Sequence, residues 1–334
     1  VSDAYDPFFS WKALAWPDQC RAIAAGQMPW PVQLTVYPTN RCNRNCRGCI
    51  MAAERASGAM LGEAVFTRLL ADANELGVRS LHVAGGGEPT LYEHLNHAAS
   101  FHGTAVLSTN GFRLSRRVCS WFKRVRVSVN AGSPRAYAEF TGCRESEYTD
   151  LVCKLVVVCE RPRPWDIGLG LVADRHTPAD IRQFIALADH VGADWVHIRP
   201  MYYPRESPEA AEVVRNWPAV AAAANETGAA SRCRVYCVSD KFSGFWSDRH
   251  YSRCRATPLV AVVCADARLA VCQDVFTKWG DLNRQTFAEA WKSPEHSAAM
   301  REIDLSACPR CIMNRHNEVI EHCFLNDECL LEVL

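Results

Sequence analysis

The chain has 334 residues, 49% of them hydrophobic and 22% charged, enough apolar content for a buried core and too much for a disordered chain. No apolar run reaches the roughly 18 residues of a membrane helix, and 37 basic against 37 acidic residues leave a formal net charge of +0, without the electrostatic footprint of a nucleic-acid backbone binder. No basic-then-apolar segment opens the chain, so a cytoplasmic location with no membrane and no nucleic-acid partner is expected; in a reducing compartment, 17 cysteines point to metal or redox chemistry rather than to disulfides.

Residues 1–31 hold five Trp or Phe and four Pro without a strand period, and read as an N-terminal extension packed on a larger body. From Val32 onward β-branched runs alternate with helical stretches. Strands are predicted at Val32 to Tyr37, Ser80 to Ala84, Ala105 to Ser108, Val125 to Val129, Ile167 to Val172 and Trp195 to Arg199. Between the first two, Val65, Phe66, Leu69, Leu70, Ala73 and Leu76 recur at helical spacing and Gly77 supplies the stop signal. Six such units define the α/β class and a partial (β/α)6 barrel over residues 32–241, with reactive groups expected at the C-terminal ends of the strands. Beyond the Ala-rich stretch Glu209 to Thr227 the texture changes, and eight cysteines fall between Cys233 and Cys323. A small Cys-rich α+β domain is expected over residues 242–334.

The first strand runs into Thr39-Asn40-Arg41-Cys42-Asn43-Arg44-Asn45-Cys46-Arg47-Gly48-Cys49, three cysteines spaced C-x3-C-x2-C. Three thiolates on a 4Fe-4S cube leave one iron open, whereas structural zinc normally takes four ligands. Three packed thiols, or a zinc site completed from elsewhere, are the alternatives. After the second strand comes Gly85-Gly86-Gly87-Glu88-Pro89, after the third Ser108-Thr109-Asn110-Gly111, and the fourth reads Val127-Ser128-Val129-Asn130-Ala131-Gly132. Taken singly, each is ordinary turn chemistry.

In this order and spacing the segments resemble the radical S-adenosylmethionine (SAM) superfamily. The resemblance implies that Cys42, Cys46 and Cys49 hold a 4Fe-4S cluster with one open iron, and that Gly86, Gly87 and Glu88 hold the methionine amino group of SAM. Thr109, Asn110, Ser128 and Asn130 would meet its ribose and methionine parts. Where that family usually has an aromatic residue before the third cysteine, Gly48 stands here, so adenine packing is expected from elsewhere, near Pro200 to Tyr203. Flavodoxin or ferredoxin would be the electron donor.

Cys254 and Cys272, followed by Cys308 and Cys311, resemble the twitch domain, a shortened relative of the SPASM domain, and imply one auxiliary 4Fe-4S cluster. Four-cysteine zinc remains an alternative. Asn317 stands at the third position of the longer SPASM pattern, and Cys264, Cys323 and Cys329 compete as ligands. The short C-terminal domain looks most like enzymes acting on sugars, aminocyclitols or sugar-nucleosides of antibiotic pathways by dehydration, dehydrogenation or epimerisation at a carbinol carbon. Acid-base candidates at the barrel mouth are Arg199, Tyr202 and Tyr203 after strand six, and Asp174, Arg175 and His176 after strand five. Most remaining cysteines, including Cys119, Cys153 and Cys159, are expected to be buried small apolar residues. A peptide-modifying enzyme is the second reading, disfavoured by the short stretch ahead of the first strand, and a zinc-binding module without catalysis is the third.

Overall fold

The structure, a computed structural model, describes residues 9–201, 203, 207–245, 247–274, 277–308 and 311–325. Strands β1 (Gln33–Val36), β2 (Ser80–Val83), β3 (Thr104–Thr109), β4 (Arg124–Ser128), β5 (Asp166–Ala173) and β6 (Trp195–Pro200) lie on the six runs read from the sequence. Four more strands follow: β7 (Arg234–Cys237), β8 (Val260–Val263), β9 (Leu269–Ala270) and β10 (Lys278–Trp279). The sheet order is β10-β9-β8-β1-β2-β3-β4-β5-β6-β7. It is parallel from β8 to β7, and β9 and β10 add antiparallel pairs at one edge. The Cys-rich part is thus joined to the barrel by backbone pairing, because β8 runs alongside β1 in the register Gln33–Val260 to Val36–Val263.

Parallel sheets covered on both faces read as continuous apolar runs; these strands alternate. Leu34, Val36, Leu81, Val83, Leu107, Val125, Val127, Leu169, Leu171, Val196 and Ile198 all enter one core beneath the helices. On the helix Glu63–Glu75, Phe66, Leu69 and Leu70 complete that layer, each such burial stabilising by about 1.5–3 kcal/mol. The intervening residues Thr35, His82, Ser108, Arg126, His197 and Arg199 therefore line the concave face, and β5 places Gly168 and Gly170 there. A Cβ on Gly168 would stand 2.2 Å from the Trp195 ring, so that ring occupies the volume a side chain would fill. The inner face is a polar lumen, which is what a barrel needs if it is to bind something rather than only fold.

At the N-terminal end of the strands the extension folds back. Ala13, Cys20 and Ile23 pack with Leu259, Val319 and Ile320, and the Ser10 amide donates to Asp240 Oδ2 at 3.0 Å. Cys119 and Cys159 are buried as expected, but Cys153 is exposed. The helix Ser146–Cys159 turns Leu151, Leu155 and Val158 inward, and position 153 falls off that stripe. No helix among the described residues is long and apolar enough to cross a membrane.

One buried histidine makes the fold acid-sensitive. The His296 ring stacks on Trp279 at 4.0 Å, and Nδ1 donates to the Trp291 carbonyl at 2.7 Å. Burial lowers its pKa to about 4 from an ordinary 6.5. The unfolded chain takes up this proton near pH 6.5 and the folded one only near pH 4, so the contribution present above pH 6.5 is lost as pH falls across that window. His296→Gln is expected to flatten the acid limb of a stability–pH profile by up to about 3 kcal/mol; parallel profiles for variant and wild type would contradict it.

Candidate functional site

The loop that carries Cys42, Cys46 and Cys49 leaves the C-terminal end of β1, where the lumen opens. Backbone hydrogen bonds fix it on two sides. Toward the β2 end, the Gly87 amide donates to the Thr39 carbonyl at 2.7 Å and the Glu88 amide to the Arg41 carbonyl at 2.8 Å. Toward the helix Pro134–Thr141, the amides of Asn45 and Arg47 donate to the carbonyls of Thr141 and Phe140. The Arg44 guanidinium is buried, pairs with Glu147, and lies over the Tyr137 ring at 5.9 Å. All three cysteines are partly accessible. Burial pushes the Cys46 thiol up to about 12, with the nearby Cys49 and Cys42 adding to it, and burial likewise raises Cys42. A bound positive centre stabilises such thiols as thiolates.

The glycines of the β2 turn are demanded by close approach. A Cβ on Gly86 would lie 1.9 Å from Asn40 Oδ1, one on Gly87 1.9 Å from the Arg41 carbonyl oxygen, and one on Gly85 1.6 Å from the Gly87 carbonyl oxygen. For Gly85 and Gly87 the obstacle is backbone and cannot swing aside. Gly87→Ala is therefore expected to displace the cysteine loop and lower bound iron by at least half while circular dichroism stays unchanged; full iron loading would contradict it. Glu88, which follows, is buried at 2% exposure. Its Oε1 accepts from the Thr90 amide at 3.0 Å and from the hydroxyls of Thr90 and Thr109, and its Oε2 accepts from the Asn110 amide at 2.7 Å. Burial raises its pKa, and the four donors offset part of that rise. Oε1 is saturated, while Oε2 retains acceptor capacity.

The other strand ends complete this mouth. Asn110 Nδ2 donates to Asn43 Oδ1 at 2.9 Å, tying β3 to the cysteine loop. Ser128 lies opposite Gly170 on the lumen face. Asn130 has a left-handed φ of 61°, its Oδ1 accepts from the Val172 amide at 3.0 Å, and its carbonyl accepts from His176 Nε2 at 2.9 Å. Since His176 Nδ1 accepts from the Asp174 amide at 3.2 Å, both ring nitrogens are committed and burial holds the ring neutral. Asp174 is buried, ion-paired with Arg47 at 2.8 Å, and accepts from the Tyr203 hydroxyl at 3.0 Å. Asp174, His176 and Tyr203 are thus tied into one network at the strand ends, and Arg175 is exposed. Tyr202 lies outside the described residues. Arg199 stands within β6 and points into the lumen, below the mouth where an acid-base role was expected. Where Gly48 stands, with φ of 61°, an added Cβ would meet Met201 Sδ and Cε at 2.9 Å, so Met201 fills the space beside the third cysteine.

Cys254, Cys272, Cys308 and Cys311 all line one cavity of about 500 Å³ at the N-terminal end of the strands. Burial pushes Cys311 up to about 12, and Cys254 is the next contributor both there and at Cys308. Tyr251 hydrogen-bonds Cys311. The rival cysteines lie elsewhere: Cys264 packs with Tyr37, Met51 and Val262, and Cys323 joins the cluster around Cys20; Cys329 falls outside the described residues. Asn317 is fully buried and acts as a buckle, its Oδ1 accepting from the amides of Arg255 at 2.5 Å and Ala256 at 2.9 Å, directly after Cys254. Also missed by sequence reasoning are Lys241 and Asp274, which border this cavity, and Arg126 in the lumen above it. The alternation Arg124-Val125-Arg126-Val127-Ser128 is the signal that could have found Arg126, since a strand polar on one face inside a barrel must turn that face inward.

No protein-family model and no curated protein matches the sequence. Among solved structures, SuiB of Streptococcus suis bound to S-adenosylmethionine superposes with a TM-score of 0.63 at 15% identity, over 85% of this chain and 72% of that one. Its complex with precursor peptide SuiA gives 0.62 at 14%, over 87% and 70%. The protein anSMEcpe, with bound AdoMet and a Cp18Cys peptide, gives 0.56 at 13%, over 83% and 85%. The chain therefore shares the partial-barrel α/β fold of these proteins.

Proposed function

We propose that the protein is a radical SAM enzyme acting on a sugar-like small molecule. The observation that carries this reading is the joining of three cysteines at the end of β1 to the glycine turn and buried Glu88 at the end of β2. Cys42, Cys46 and Cys49 would hold a 4Fe-4S cluster with one open iron; Glu88 and the backbone of Gly86 and Gly87 would take the SAM amino group. When bound, the pair supplies a 5'-deoxyadenosyl radical able to remove hydrogen from an unreactive carbon. Cys254, Cys272, Cys308 and Cys311 would hold one auxiliary cluster. This chain's part is to present a carbinol C–H at the strand ends, within an enclosed polar lumen, and to keep water and oxygen out. Flavodoxin or ferredoxin is the class of electron donor that such a cluster takes.

Among the described residues outside the two sets, Cys264 follows Val262 on the face opposite the core residues Ala261 and Val263, and packs with Tyr37 beside Cys49. Cys119, Cys159, Cys233 and Cys237 pack on the helix side, and Cys153 is exposed. Cys264 is therefore a candidate thiol hydrogen donor, and epimerisation stands beside dehydrogenation and dehydration.

A peptide substrate is the second reading, supported by SuiB and anSMEcpe having been solved with peptides bound. Anaerobic reconstitution followed by dithionite reduction tests the core of the proposal. About eight irons per chain, as for two Cys-ligated cubes, and release of 5'-deoxyadenosine are expected. Alanine at Cys254, Cys272, Cys308 and Cys311 together should lower iron to about four with SAM cleavage retained. Zinc in place of iron would overturn the reading.

A further inference from the structure

Three cations face the inside of the barrel with little to balance them. Arg126 on β4 sits opposite Ser108 and Gly168 on the lumen face, and its aliphatic chain passes Gly170, where an added Cβ would lie 3.6 Å from Arg126 Cδ. Arg199 on β6 reaches the same space and lies over the Phe242 ring at 5.7 Å. Lys241 enters from the segment after β7. Each is enclosed by protein yet keeps part of its surface accessible. They are close enough to repel one another: Arg126 bears on Arg199, and both bear on Lys241. Among the described residues, the acid that acts on Arg199 and Lys241 is Asp274, and none acts on Arg126. His82 and His197, also in the lumen, are held neutral by burial and by these same cations, so they add no charge of either sign.

A buried cation with no counterion is expensive to keep unless something else brings the charge. Lys241 borders the cavity of Cys254, Cys272, Cys308 and Cys311, so a thiolate-ligated cluster would balance it. Arg126 and Arg199 do not line that cavity. We infer that the substrate carries an acidic group, carboxylate or phosphate, held in the lumen by the guanidinium groups of Arg126 and Arg199. A planar guanidinium matches both groups through paired N–H donors. The inference rests on the sugar-like reading of the substrate and narrows it to acidic sugars.

The test is calorimetric binding to the anaerobically reconstituted holoenzyme, with SAM present and ionic strength held constant, using glucose, glucuronate and glucose 6-phosphate as probes. One acidic sugar should bind at least tenfold more tightly than glucose, and which one does so separates carboxylate from phosphate. That preference should vanish in Arg126→Met and Arg199→Met and survive in Arg126→Lys and Arg199→Lys, which keep the charge and report on folding. Three outcomes overturn the inference: neither acidic sugar outbinds glucose, the preference persists in both methionine variants, or those variants lose affinity for SAM instead, which would assign the guanidinium groups to the cofactor's own carboxylate. The readout is binding, so a chain that binds the acidic sugar without cleaving SAM would sink the radical reading and leave this site standing.

Discussion

Alanine at Cys42, Cys46 and Cys49 together is expected to remove about four irons per chain and abolish reductive SAM cleavage, with the melting transition lowered by only a few degrees. The loop owes its course to backbone hydrogen bonds with the β2 turn and the helix Pro134–Thr141, and to the Arg44–Glu147 pair, none of which uses a cysteine side chain. All three thiols are partly accessible, so their removal leaves no large cavity. What is lost is the donor set. Cys46 resists ionisation because it is buried beside Cys49 and Cys42, and a bound cationic centre reverses that penalty. Single alanine variants should therefore each lose most of the cluster, since two thiolates no longer enclose it. Iron and sulfide analysis with 5'-deoxyadenosine detection checks this; retention of SAM cleavage in the triple variant would remove the cluster assignment.

The barrel was legible because its strands carry their apolar residues on one face. Leu34 and Val36, Leu81 and Val83, and Val125 and Val127 announce both a strand and the side that meets the helices. β7 escaped because four residues containing Arg234 and Cys237 carry no period, and its pairing with β6 comes from tertiary packing. β8 is apolar throughout, but its partner β1 lies far away in sequence, and no local signal says that Val260–Val263 extends the first strand's edge. At the site, spacing gave the cysteines, and the resemblance gave Glu88. Hidden were contacts between distant segments: Met201 against Gly48, Asn317 holding the backbone after Cys254, and Arg47 neutralising Asp174. Each changes a residue's surroundings without changing its type, and no local spacing announces it.

Glu88→Gln is expected to weaken SAM binding by roughly 10- to 100-fold, the loss of a charge-assisted hydrogen bond of about 1.5–3 kcal/mol. The carboxylate is buried among four donors, three of them on Oε1. An amide oxygen can keep the Oε1 contacts, but the NH2 group then faces the Asn110 amide, donor against donor, and cannot accept from an incoming ammonium. A stability loss of about 1–3 kcal/mol should accompany the weaker binding. Glu88→Ala should cost more, about 3–5 kcal/mol, because it leaves the donors of Thr90, Thr109 and Asn110 buried without a partner. Binding and stability part company in Thr109→Val, which removes one Oε1 donor and also the acceptor of the Gly111 amide. That variant is expected to lose stability by about 1–3 kcal/mol while SAM affinity changes less than about threefold, since Oε2 and its charge remain. Equilibrium dialysis of SAM against the anaerobic holoenzyme, with a denaturation curve for each variant, separates the two effects. If Glu88→Gln bound SAM as tightly as wild type while losing stability, Glu88 would be a brace between β2 and β3, and the amino group of SAM would have to find its acceptors among the carbonyls of the glycine turn alone.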